Sequence, residues 1–123
     1  MYTNSQHELG KYGEQLAADY IKSLGYTIIE QNWRNEKYEI DIICTNSENI
    51  IFIEVKTHDS NKLFDIRRLV DKEKQRKITF CANNYVRRKN IILDVRFDII
   101  IIKKKKDEYE LEHIPNAFYC IRR

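Results

Sequence analysis

Two apolar runs in YEIDIICTNSENIIFIEVKT, residues 38–57, carry Glu39, Asp41, Glu54 and Lys56 among isoleucines, valine and phenylalanine. Ionised groups in such surroundings are expensive unless they are paired or bound to metal. TNSEN between the runs is a polar set of turn formers, so the simplest connection is a β-hairpin. With a loop over Asn46–Asn49, Thr45 faces Ile50, Ile43 faces Phe52, Asp41 faces Glu54 and Glu39 faces Lys56. The two-residue alternation of strands then puts all four charged side chains on one face. Like charges directly opposite across two strands repel unless a cation lies between them. Mg²⁺ or Mn²⁺ suits such a site, since hard cations are commonly held by one or two carboxylates and keep positions for water and phosphate oxygens. The Val55 carbonyl, between the two functional side chains, is a candidate third ligand. Two acids followed by a lysine two residues on suggest metal-assisted phosphodiester hydrolysis. The metal would serve as Lewis acid and activator of water, and Lys56 would orient the nucleophile or stabilise charge on phosphorus. The competing explanation is structural: a Glu39–Lys56 cross-strand salt bridge beside an exposed acid pair.

The positioning elements are legible in the periodicity. Leu9, Leu16, Ala17, Tyr20, Ile21 and Leu24 recur at spacings of three and four, which predicts a helix from about Ser5 to Leu24, ended by Gly25. Strands are expected over Tyr26–Trp33, Tyr38–Thr45, Ile50–Thr57 and Leu93–Lys103, with a short one over Glu108–His113. A second helix is expected over Ile66–Arg88, giving the order α-β-β-β-α-β-β. The continuous apolar runs of the central strands imply a sheet covered on both faces. This is an α/β fold with a mixed central sheet of four to five strands flanked by helices.

Each helix adds candidates. Within GKYGE, residues 10–14, the two interior glycines disfavour a helix by about 1 kcal/mol each relative to alanine, so close packing must need the space. Glu14 shares a face with Gly10, Ala17, Ala18 and Ile21 and is a candidate functional acid. In the second helix Lys74 lies on the Ile78, Cys81, Tyr85 stripe, with Lys77 beside it. Together with Arg67 and Arg68 these are candidates for nucleic-acid binding, supported by Lys72, Arg76, Arg87, Arg88 and Lys89. Arg96 and Asp98, in VRFDII, share a strand face and fit a structural ion pair as well as a substrate contact. Lys103–Lys106 reads as a solvated strand end that blunts a sheet edge. His7, His58 and His113 form no ligand pattern.

A length of 123 residues predicts one domain, residues 1–123, able to bury a core without disulfide or structural metal. Hydrophobic residues at 42%, charged residues at 33%, three glycines and one proline exclude a disordered or low-complexity chain. A net charge of +3 and a pI near 8.7 permit an anionic partner without demanding one. Cys44, Cys81 and Cys120 are odd in number, widely spaced and read as reduced and structural. The apolar runs are far too short to span a bilayer and no secretory pattern is present, so a cytoplasmic protein without membrane contact is expected.

The succession GKYGEQLAADYIKSLGY, QNWR, YEIDII, IFIEVKT, KQRK, VRFDIIII and IPNAF resembles the YraN-like family, related to Holliday-junction resolvases within the PD-(D/E)xK nuclease superfamily. The resemblance spans nearly the whole chain. It implies a restriction-endonuclease-like core, Asp41 and Glu54 as ligands of Mg²⁺ or Mn²⁺, and Lys56 as the catalytic lysine. Glu14 would be the helix-borne acid and Lys74 the basic residue of the following helix. The implied activity is endonucleolytic cleavage of DNA, including branched DNA, with RNA an open alternative; a non-catalytic nucleic-acid-binding module on the same fold is the rival. Related resolvases act as dimers, so the resemblance also implies a homodimer. Tyr38 stands where a glycine usually precedes E-I-D, and His58 where an arginine usually follows V-K-T.

Overall fold

The computed structural model describes residues 2–36, 38–59 and 70–118, with side chains from residue 8 onward. Arg67, Arg68 and Cys120 lie outside the described residues. The elements are α1 (Tyr2–Ser23), β1 (Thr27–Asn35), β2 (Tyr38–Thr45), β3 (Asn49–Asp59), α2 (Lys72–Lys89), β4 (Asp94–Lys105) and β5 (Glu108–Phe118). Both the predicted order and the two-sided covering of the sheet are observed.

The five strands form one sheet in the order β1-β2-β3-β4-β5. β3 and β4 run parallel, and every other neighbouring pair is antiparallel. A parallel pair needs a long crossover, and α2 supplies it. Asp71 caps this helix by accepting the Lys74 backbone N–H at 2.9 Å, and Asn90 ends it in the left-handed conformation at φ 53°. α2 thus begins at Lys72, set by the cap, and residues 66–69 of the expected helix lie outside the described residues. At the end of α1, Gly25 has φ 84°, and its N–H donates to Lys22 O at 2.9 Å, as expected of a glycine terminator.

Two cores lie on opposite faces of the sheet. Ala17, Ala18 and Ile21 of α1 pack on Ile42, Cys44, Ile51, Ile53, Ile100 and Ile102. Ile78, Cys81, Ala82 and Tyr85 of α2 pack on Ile43, Phe52, Phe97, Ile99 and Ile101. The isoleucine-rich runs are thus buried from both sides, as β-branched side chains on a covered pleated sheet favour. Cys44 and Cys81 are buried free thiols. Among the described residues, no helix is long and apolar enough to cross a membrane.

Two expectations at the sheet margins change. Lys103 and Lys105 do not blunt an edge: β4 is flanked by β5, and the lysines pair with Glu112 at 3.7 Å and Glu110 at 3.0 Å. β5 also runs past His113 to Phe118, through Pro115. An edge strand tolerates that proline because its missing N–H need not face a neighbour.

Candidate functional site

The hairpin forms near its turn in the predicted register, with Thr45 opposite Ile50 and Ile43 opposite Phe52. Asn46 organises the turn, its Oδ1 accepting from the N–H groups of Glu48 at 2.9 Å and Asn49 at 2.7 Å. The β2–β3 ladder then stops at Ile42 opposite Ile53, although both strands continue. Beyond that point the Asp41 carboxylate replaces the neighbouring main chain as acceptor: its Oδ2 takes the Val55 N–H at 2.7 Å.

This break corrects the expected face-sharing of four charged groups. Ile40 packs into the α2-side core and Ile42 into the α1-side core, so the regular alternation is lost around Asp41. On the other side of β2, Trp33 pairs with Ile40 and Gln31 with Ile42, while Asn32 between them has φ 52°. Glu39 is aligned with Arg34 of β1, not with Lys56. Lys56 is aligned with Ile101 of β4 and is exposed. Among the described residues no Glu39–Lys56 ion pair forms; the cation paired with Glu54 is Lys74 of α2.

Asp41 and Glu54 are nonetheless brought together. Burial pushes the Asp41 carboxyl up to about 8, the charge of Glu54 adds to this, and the Val55 N–H opposes it; Glu14 and Glu39 raise it further. Glu54 projects toward α2, where Lys74 Nζ lies 3.0 Å from its Oε2. On its other oxygen it accepts the Tyr38 hydroxyl at 3.2 Å. Lys74 therefore points inward as its position on the core stripe required, and it sits on an acid instead of an open phosphate-binding surface. Lys77 differs: it is exposed and pairs with Glu73 one turn back at 3.7 Å.

Glu14 arrives from the other side of the sheet. A methyl group at Gly13 would collide with the Thr57 side chain, so this glycine lets α1 close onto β3 one residue before Glu14. Gly10 meets nothing within 4 Å, so only one of the two helix glycines answers a packing need.

Arg96 and Asp98 lie away from this cluster, on the α1 side of β4. Arg96 donates to both Asp98 oxygens at 3.0 and 2.9 Å, His113 Nε2 lies 2.7 Å from Oδ2, and the Asn116 N–H donates to Oδ1 at 3.1 Å. Tyr20 Oη lies 2.9 Å from His113 Nδ1, tying the group to α1. Burial alone would raise Asp98, but hydrogen bonds from His113, Arg96 and Asn116 hold it below the usual carboxylate range. Asp98 has 0% exposure, so this is a structural polar hub rather than a substrate contact.

The residues missed by sequence reasoning are Tyr38, Thr57 and His113. Tyr38 carried a signal, an aromatic where glycine is usual. His113 carried none, because its partners come from distant segments.

The donor set suits a small hard cation of the kind that keeps several waters. Asp41 and Glu54 are two mutually repelling carboxylates beside the Val55 peptide. Among the described residues no group of three or more His, Cys, Asp or Glu side chains could hold a metal, so an all-side-chain cage of the zinc or calcium type does not fit.

Fold and site together define a mixed-sheet α/β domain with a half-buried acid pair, and a lysine two residues on, where its two central hairpin strands part. The chain belongs to the family described as "Uncharacterised protein family UPF0102", whose profile matches residues 13–102. It is 40% identical to a UPF0102 protein of Parabacteroides distasonis, over 94% of this chain and 95% of the relative. It is 43% identical to one of Thermodesulfovibrio yellowstonii, over 91% and 96%. A relative from Flavobacterium psychrophilum is 36% identical over 92% and 95%. The names of these relatives state the family and no activity.

Proposed function

We propose that the protein is a Mg²⁺- or Mn²⁺-dependent endonuclease that hydrolyses phosphodiester bonds in DNA. The observation that carries the proposal is the half-buried Asp41–Glu54 pair, in which burial and then the charge of Glu54 raise Asp41, with exposed Lys56 two residues beyond Glu54 on the same strand. Asp41, Glu54 and the Val55 carbonyl would hold the cation, which when bound supplies Lewis acidity toward the phosphoryl oxygens and acidifies water. Lys56, at the open end of β3, orients the attacking water or offsets charge growing on phosphorus. Glu14 adds an acid from α1, and Glu39 contributes to the field at Asp41. The attacking water oxygen bonds to phosphorus, the bond to the leaving sugar oxygen breaks, and that oxygen takes a proton. Branched DNA and repair or recombination intermediates are the first substrates to test, with RNA included.

A second reading, a non-catalytic nucleic-acid-binding module, is favoured by one specific feature. Both oxygens of Glu54 already have partners, Lys74 and Tyr38. The two readings separate in one experiment, in which purified protein is incubated with duplex, single-stranded, flapped and four-way-junction DNA and with RNA, in Mg²⁺ or Mn²⁺. Endonuclease activity requires products that vanish in chelator and in folded Asp41→Ala and Lys56→Ala proteins. Binding without products across the panel, unchanged in Asp41→Ala, would replace the enzyme with the binding module.

A further inference from the structure

The outer face of α2 carries an aromatic ring that the fold does not use. Phe80 is 58% exposed, while the residues beside it in sequence, Thr79 and Cys81, are buried. Helical spacing places it on the solvent face with Arg76 and Lys77 one turn before, Asn83 one turn after and Arg87 two turns after. All four neighbours are exposed. Lys77 is engaged by Glu73, but among the described residues no acid pairs with Arg76 or Arg87.

The charge distribution is equally one-sided. Over Lys72–Lys89 the helix has seven Lys and Arg against a single acid, Glu73, which is +6 in a chain whose total is +3, so the remainder carries −3. A cationic helix on an otherwise acidic protein is an electrostatic footprint for a polyanion. Cations alone would serve a phosphate backbone of any form. The ring is what discriminates: a duplex keeps its bases stacked on one another, whereas an unpaired base offers its π-face to an aromatic side chain.

We propose that the outer face of α2 binds a single-stranded segment of nucleic acid, with one base stacked on Phe80 and the flanking phosphates held by Arg76 and Arg87. These two arginines are about 16 Å apart along the helix axis, enough for a short run of nucleotides. Phe80 is about 9 Å further along that axis than Lys74, whose inward side chain sits on Glu54. A strand leaving Phe80 toward the start of α2 passes Arg76 and turns about 120° round the helix to reach the side on which Lys74 meets Glu54. This deepens the nuclease reading and rests on it: the substrate presents an unpaired segment beside the bond to be cut.

The test uses the full chain in chelator, so that binding is read without cleavage. Fluorescence anisotropy is measured with a thymidine oligomer of about twelve nucleotides, bearing one 2-aminopurine, and with a duplex of the same length. Phe80→Ala and Phe80→Leu should each weaken single-strand binding by about tenfold or more and abolish the 2-aminopurine quenching. Phe80→Trp should retain both, and the duplex should bind all four proteins alike. Arg76→Gln and Arg87→Gln should weaken both nucleic acids and flatten the salt dependence. Phe80→Leu binding the single strand as the unchanged protein does would overturn the proposal. So would equal losses on single strand and duplex, or Phe80-dependent binding to phosphatidylglycerol vesicles with no affinity for the oligomer. Cleavage is scored separately against Asp41→Asn: Phe80-dependent binding without cleavage retains this surface and removes the nuclease reading, and cleavage with Phe80-independent binding does the reverse.

Discussion

Asp41 and Asp98 occupy similar places in the chain and opposite electrostatic worlds. Each interrupts an isoleucine-rich strand of the central sheet. Asp98 is surrounded by donors: Arg96 on both oxygens, His113, and the Asn116 N–H. Asp41 has the Val55 N–H, and the charges that act on it are those of Glu54, Glu14 and Glu39. The first carboxyl is held below its ordinary range and the second is driven above it. A satisfied buried acid is what folding alone would select. A half-buried acid facing other acids opposes folding, and such conflicts concentrate at functional sites.

The sharpest way to break this contrast is to neutralise each acid in turn. Asp98→Asn leaves the largely shielded Arg96 without its counter-charge and should destabilise the protein by about 3 kcal/mol in urea unfolding. Because the native pKa of Asp98 is depressed, its contribution is complete above the unfolded carboxylate value of about 3.9 and is lost as pH falls through the native value. The gap between the two proteins should therefore hold near neutrality and close in acid. A loss under about 1 kcal/mol, the range of an exposed pair, would show that the hub is not a stabilising unit.

The next effect is the response to cation. Mg²⁺ at about one hundred times its dissociation constant should stabilise the unchanged protein by about 2.7 kcal/mol. Asp41→Asn and Glu54→Gln should show no such gain over NaCl of matched ionic strength in thermal melts. Equal stabilisation of all three would move the cation elsewhere.

Without metal, Asp41→Asn should do the reverse of Asp98→Asn and stabilise the protein, on the order of 1 kcal/mol, by removing the cost of ionising a desolvated carboxyl beside Glu54 while keeping an acceptor for the Val55 N–H. The pH trend is also reversed. A native pKa raised to about 8 means that the wild-type protein loses stability as pH rises from the unfolded value near 4 toward 8. The advantage of the asparagine should thus be absent in acid and grow through neutrality in chelator. A variant less stable at every pH would show that Asp41 serves the fold through its hydrogen bond.

What the sequence revealed of these two sites follows from how local their causes are. Period-two runs and a polar turn placed β2 at residues 38–45 and set Thr45 opposite Ile50, because both depend on neighbours in the chain. The same periodicity, extended past Ile42, put Glu39 opposite Lys56. There a side chain had displaced a main-chain acceptor, and no pattern of residue types records that substitution. Gly13 could be suspected from its place inside a helix, but its partner Thr57 lies on another element. Arg96 and Asp98 were visible as a pair two residues apart, whereas His113 and the Asn116 N–H enter only when β5 folds against β4. The acids of the candidate site were therefore readable as residues, while the break in the ladder that brings Asp41 to Val55 was not.

The smallest expected effect falls on Tyr38, one of the two residues at which the chain departs from the pattern it resembles. Its hydroxyl donates to Glu54 Oε1 at 3.2 Å, and burial followed by the charge of Glu54 pushes the phenol well above its ordinary value, so it acts as a donor and not as a base. Tyr38→Phe should change unfolding stability by about 0.5 kcal/mol, because the ring still packs and only one neutral donor is lost. Removing an outer-shell donor from a ligating carboxylate typically lowers metal affinity by about 10–100-fold. Here Lys74 still holds Oε2 at 3.0 Å, so a loss of about threefold in Mg²⁺ affinity is expected by calorimetry. A gain in affinity would sharpen the comparison in the other direction. The hydroxyl would then be competing with the cation for one Glu54 lone pair, and the tyrosine would be tuning the acid pair toward the satisfied state that Asp98 already has.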